Sequence, residues 1–146
     1  MKNLRDSLVE IALNWESKFI VMPQVTSAIS EYDAARLLGC DEQTYSEIMK
    51  GQTAVTKGHD FIYKGIKYQI KGNRSSGKPG SKITKGPKAN NYKWDYLIWI
   101  CYDKKFNITE AWGFKVDLYK KLFEHKKRLS VDDMRMGTDM LKSING

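Results

Sequence analysis

Two cysteines and two histidines are all that this 146-residue sequence contains, and their scarcity excludes whole classes of protein. Cys40 and Cys101 stand far apart without metal-ligand spacing, so neither a disulfide scaffold nor a zinc ribbon fits. A reduced, cytoplasmic protein is the expectation. His59 and His125 are isolated, which leaves no His/Cys cluster for zinc and indicates no Ser/His/Asp arrangement. No apolar run approaches membrane-spanning length, and residues 1–6 lack the apolar core of a secretory signal. No membrane partner is expected. Internal repeats are missing as well.

Acids are also in short supply, 17 against 25 bases, for a formal net charge of +8. The imbalance is local. Residues 61–127 hold fifteen Lys and one Arg against five acids, whereas residues 1–60 hold six bases against nine acids. A basic middle beside an acidic first part suits a polyanionic partner. The length and a 41% hydrophobic content predict one domain with its own core. Its parts are N-terminal helices over 1–52, a hairpin and sheet over 53–115, and C-terminal helices over 116–146.

Leu4, Leu8, Ile11, Ala12, Trp15 and Phe19 recur at helical spacing, which predicts an amphipathic helix over 3–19 packed on the core. Pro23 breaks the chain. Ser30, with Asp33 three positions on, reads as the N-cap of a short helix through Leu38 that Gly39 ends. Asp41 caps a second helix to Lys50, closed by Gly51. This pair also resembles a helix-turn-helix. Its second helix, however, carries Asp41, Glu42, Gln43 and Glu47 against the single base Lys50, a face that phosphates would repel.

Further on, Tyr96–Cys101 is an apolar run typical of a strand buried on both faces. Asp103–Lys105 makes a turn, and Phe106–Phe114 returns as the next strand. Val116–His125 reads as a helix, and a last helix is expected near Val131–Lys142, its Met134, Met136 and Met140 packing on the core or on a second subunit.

The informative stretch is Gly58–Gly72. It reads as two short strands joined at Lys64-Gly65, with Tyr68 and Ile70 pointing one way and Gln69 and Lys71 the other. Asp60 opens the first strand. A carboxylate, an amide carbonyl and an ammonium can therefore converge on one side of a hairpin whose other side is apolar. Residues 73–91 follow as a long, basic, Gly- and Pro-containing loop, uncommon in a compact domain unless it contacts something. Its Arg74, Lys78, Lys82, Lys85 and Lys88 are candidate DNA-backbone contacts.

Asp60 followed by Gln69-Ile70-Lys71, with helices before and strands and a helix after, resembles the PD-(D/E)xK nuclease superfamily, in its QxK variant. His59 stands where the superfamily commonly has Pro, and Gln69 where it commonly has an acid. The resemblance covers most of the chain. It implies a restriction-endonuclease-like α/β fold, a mixed central sheet flanked by helices. It also implies a metal-dependent DNA endonuclease with Mg²⁺ (or Mn²⁺) held by Asp60, Gln69 and the backbone carbonyl of Ile70, and Lys71 acting on the attacking water or the phosphate. Ser27–Tyr32 looks like the early-helix segment of such nucleases, making Glu31 the candidate second carboxylate, with Glu10 and Glu16 as rivals. A site-specific restriction activity on double-stranded DNA, a homodimer, and a bacterial or phage source are further implications. The competing expectations are a non-catalytic DNA-binding protein and a repair or junction nuclease of the same fold.

Overall fold

In a computed structural model, which describes residues 2–52, 58–76 and 82–142, three helices precede the sheet: α1 (Leu4–Phe19), α2 (Thr26–Leu37) and α3 (Glu42–Lys50). The strands are β1 (Phe61–Tyr63), β2 (Ile66–Arg74), β3 (Lys85–Gly86), β4 (Tyr96–Tyr102) and β5 (Ile108–Lys115). They are followed by α4 (Val116–Phe123), β6 (Leu129–Ser130), α5 (Val131–Met134) and β7 (Thr138–Asp139). Five strands form one sheet in the order β1-β2-β4-β5-β7, and β3 pairs with β6. The sheet is mixed: β2 and β4 run parallel, and the other neighbours run antiparallel.

Helices flank the sheet on both sides. The α1–α3 side buries Val9, Ile29, Ala34 and Ala35 against Phe61, Tyr68, Ile70, Ile98 and Ile100. The other face packs Leu97, Trp99 and Phe114 under Tyr119 and Phe123 of α4. Strand β4 has apolar side chains on both faces because it lies mid-sheet with a core on each side. The β1–β2 turn forms where expected: Lys64 and Gly65 both take positive φ (50° and 79°), the pattern of a tight two-residue hairpin loop.

Three expectations need correction. Helix α1 does form, but it packs through Val9 and Ala12, and leaves Leu4, Ile11, Trp15 and Phe19 exposed. Ion pairs set that rotation. Arg5 on its inner side reaches the buried Asp33 with two bonds of 2.9–3.0 Å, and Glu16 pairs with Arg74. Second, α2 begins at Thr26, so Ser30 sits inside it; its hydroxyl donates to the Ser27 carbonyl rather than capping. Third, the C-terminal segment is a four-residue helix and an edge strand instead of one long helix. Gly137 is the reason: a Cβ there would lie 2.6 Å from the Gly113 carbonyl, so the chain crosses β5 closely and pairs Thr138 and Asp139 with Gly113 and Trp112. Met134 and Met140 are buried, and Met136 is exposed.

Candidate functional site

The site begins where β1 ends its pairing with β2. Phe61 opposes Tyr68, and the Asp60 N–H donates to the Tyr68 carbonyl over 2.8 Å. Beyond that bond no strand among the described residues pairs with this edge of β2. The Ile70 N–H, which needs an acceptor, donates to Asp60 Oδ2 at 2.7 Å. Because N–H and C=O of one strand residue point to the same side, the Ile70 carbonyl faces this open edge too. Gln69 Nε2 donates to the same Asp60 oxygen at 3.2 Å. A half-turn of the Gln69 amide presents its carbonyl oxygen to the same place.

Glu31 completes the cluster from α2. That helix lies against β2 at Gly72, where a Cβ would sit 2.8 Å from Ser30 Cβ. Only a residue without a side chain permits this approach. The other side of α2 is fixed by Asp33, which accepts from Arg5 and from the Tyr102 hydroxyl at 2.7 Å. Arg5 in turn donates to the Phe106 carbonyl at 2.6 Å. So α1, α2 and the end of β4 are tied together through one carboxylate, and Glu31 is carried to Asp60 on a rigid mount.

The electrostatics follow from this closeness. Burial, then the charge of Asp60, then the hydrogen bond between the two carboxyls push Glu31 up to about 8. At neutral pH Glu31 therefore holds a proton and donates it to Asp60. Tyr45 of α3 stands over the pair; burial, with the charges of Glu31 and Asp60, raises its hydroxyl above its ordinary value. Two half-buried carboxyls that need a shared proton to coexist are a site that a cation can occupy in place of that proton.

Lys71 is half-buried, two positions beyond Gln69 on the same face of β2. It makes no hydrogen bond or ion pair among the described residues. Glu31, Asp60, Gln69 and Ile70 are thus brought together, with Lys71 on the adjoining strand face. The rival carboxylates are engaged elsewhere: Glu10 with Lys2, and Glu16 with Arg74. Among the described residues no group of three or more His, Cys, Asp or Glu side chains gathers, so the cluster's further oxygens come from an amide and a backbone carbonyl.

The basic candidates separate. Arg74 is committed inside the fold, bonded to both Glu16 oxygens at 2.9 Å and to the Lys104 carbonyl at 2.7 Å, with Phe106 beneath it. Its place in a list of phosphate contacts does not suit this geometry. The Lys88 ammonium caps carbonyls at the end of α4, those of Glu124 and Lys126. Lys82 and Lys85 are exposed, and Lys78 lies outside the described residues. Lys82 borders a cavity of about 480 Å³ with Ser75, Thr84, Glu110, Asp132 and Arg135. That cavity is at the far end of β2 and β4 from Asp60, and the Arg135–Glu110 pair spans part of its wall.

Sequence reasoning missed three contributors. Gln52 Nε2 donates to the Asp60 carbonyl at 2.8 Å and steadies its backbone. Tyr45 walls the carboxyl pair, and Gly72 admits the helix. None carries a spacing signal, because each acts across elements distant in sequence. His59, beside Asp60, has a buried Nδ1 without a hydrogen-bond partner among the described residues. No described helix is long and apolar enough to cross a membrane. In comparisons with known proteins, no family model matches this chain and no curated protein is significantly similar to it.

Proposed function

We propose that the chain is a metal-dependent DNA endonuclease of the restriction-endonuclease-like type, hydrolysing phosphodiester bonds in double-stranded DNA. The observation that carries this reading is the Glu31–Asp60 pair at the open edge of β2, beside Gln69, with Lys71 on the adjoining face. A proton shared by two half-buried carboxyls is a weak use of them; a hard cation is a better partner for such oxygens. The donor set fits Mg²⁺ or Mn²⁺: Asp60 and Glu31 as carboxylates, with the Gln69 side-chain oxygen and the Ile70 carbonyl as neutral donors. When bound, the cation supplies charge to offset the phosphate and to acidify water.

The chain's own residues divide the remaining work. Asp60 stays anchored by the Ile70 N–H and is held from behind by Gln52. Glu31 releases its proton to enter the site, which returns the negative charge that Gln69 lacks relative to an acid. Lys71 Nζ, unpaired within the described fold, orients the attacking water or donates toward the phosphate oxygens as negative charge develops there. The exposed Lys82 and Lys85 add sequence-independent attraction to the DNA backbone.

The test is incubation of plasmid and phage DNA with the protein and Mg²⁺ or Mn²⁺, followed by end mapping. Discrete fragments support a site-specific restriction-type enzyme, and nicks at irregular structures support a repair or junction nuclease. DNA that is shifted in a gel but stays intact supports a non-catalytic DNA-binding protein, a reading favoured by the neutral Gln69.

A further inference from the structure

Lys93 has a fixed backbone and a free ammonium. Its N–H donates to Asn91 Oδ1 at 2.8 Å, the turn that asparagine forms with the backbone two residues on. Trp94, 2% exposed, donates from its indole nitrogen to the Asn91 carbonyl at 2.7 Å and pins that turn to the core. From the other side Gly58 closes on the lysine: its φ is 82°, and an added Cβ would lie 2.6 Å from Lys93 Cβ. Glycine alone permits both that backbone and that approach. The side chain of Lys93 is nevertheless exposed, and its ammonium makes no hydrogen bond or ion pair among the described residues.

The fold seats this cation at the carboxyl cluster. Gly58 precedes Asp60 by two residues, so the Gly58 contact holds Lys93 close to the Asp60 end of β1. The side of the sheet agrees. Gln69 and Lys71 lie level with Leu97 and Trp99 of the parallel neighbour β4, and those two pack with Tyr92 and Trp94. The 92–94 segment therefore lies over the same sheet face that carries Gln69 and Lys71. Asp95, the nearest acid along the chain, gives its Oδ2 to the Lys67 N–H at 2.9 Å and forms no ion pair with Lys93. An ordered mount under an unpaired ammonium suits a ligand of opposite charge.

We propose that Lys93 is a substrate-binding residue, which holds a backbone phosphate of the DNA strand lying at Asp60. The proposal rests on the metal-dependent reading of the site given above. A divalent cation between Asp60 and Glu31 cancels the two carboxylates and leaves Lys71 and Lys93 as uncompensated charges. The next group to enter is then an anion, and the phosphodiester is the anion that the reaction supplies. Lys71 addresses the phosphate under attack. Lys93, carried by a separate segment on the same side of the sheet, fixes the strand in register with it.

The experiment measures binding of a fluorescein-labelled DNA duplex across a salt series in Ca²⁺, with single-turnover cleavage in Mg²⁺ beside it. Wild type is compared with Lys93→Ala, Lys93→Arg and Lys18→Ala. Lys93→Ala is expected to lower the slope of log K against log salt by about 1, one lost phosphate contact. It should slow cleavage at subsaturating protein roughly tenfold and keep the wild-type melting temperature, because the side chain is exposed. Lys93→Arg should restore slope and rate, and Lys18→Ala, on α1 beside Phe19, should change neither. A Lys93→Ala protein with wild-type slope and rate would overturn the proposal. So would an equal loss in Lys18→Ala, or a loss that only tracks a lowered melting temperature. If wild type binds DNA without cutting it and Lys93→Ala still lowers the slope, the nuclease reading falls and the Lys93 contact stands; a wild type that binds no DNA overturns both.

Discussion

Gly72 of β2 lies directly beneath Ser30 of α2, close enough that a single added methyl would stand 2.8 Å from Ser30 Cβ. That approach brings Glu31, the next residue of the helix, to Asp60. Gly72→Ala should push α2 outward, cost about 1–3 kcal/mol of stability, and separate the carboxyls. Under the proposed function, cleavage should fall further than the loss of folded protein accounts for. Thermal melts beside cleavage rates at matched folded concentration check this; a variant as stable and as active as wild type contradicts it.

The shared proton makes a prediction about pH. Glu31 is raised from 4.5 to about 8 in the fold, so between those values the unfolded chain releases a proton that the native state keeps. Stability then falls as pH rises through that window. Removing the titrating group with Glu31→Gln should flatten this part of the profile, and at pH 8 the variant should exceed wild type by on the order of 1–2 kcal/mol, the full shift being discounted because Glu31 is only half-buried and solvent screens it. Urea unfolding of EDTA-treated protein at pH 5, 6.5 and 8 measures the difference, and parallel profiles for the two proteins would refute the assignment.

Asp33 is 6% exposed and depends on Arg5. Arg5→Ala strands a carboxylate inside the protein with the Tyr102 hydroxyl as its remaining side-chain donor among the described residues, and breaking a buried pair in this way costs about 3–5 kcal/mol. A large drop in the midpoint of denaturant unfolding is expected, and a drop below about 1 kcal/mol would show that water reaches Asp33 freely.

These tests also mark where sequence and structure part. The hairpin was legible because its signals are local: Lys64-Gly65 for the turn, alternation of Tyr68 and Ile70 with Gln69 and Lys71 for the faces. Strand β4 announced itself by an unbroken apolar run. The rotation of α1 was not legible, because its apolar positions outnumber those the core accepts, and the choice was made by Arg5 and Glu16 pairing with residues far along the chain. Likewise Ser30 has the chemistry of a cap yet lies mid-helix, since what matters there is a small residue over Gly72. Glu31 could be picked out from the segment around it but not separated from Glu10 and Glu16, because what distinguishes them is which partner each meets in space.

Within the stretch 73–91, expected as one loop but entered by the end of β2 and by β3, Lys82 and Lys85 are exposed, while the ammonium of Lys88 is taken by backbone carbonyls. Lys82→Ala with Lys85→Ala should weaken DNA binding and lower the slope of log K against log salt by about 2, one released counterion per lost phosphate contact. Lys88→Ala alone should leave the slope nearly unchanged. Fluorescence anisotropy over a salt series distinguishes the two, and equal effects would mean that Lys88 leaves its carbonyls to bind DNA.

The most direct test of the proposed chemistry is the rate at which Lys71→Ala cuts DNA in Mg²⁺ under single-turnover conditions, beside wild type at equal folded concentration checked by circular dichroism. Lys71 is half-buried and makes no hydrogen bond or ion pair among the described residues, so its removal should leave the fold intact. The account predicts a loss of roughly a hundredfold to a thousandfold in rate with DNA binding largely retained. A Lys71→Ala protein that cleaves as fast as wild type would contradict it, and would leave the hairpin a structural element only.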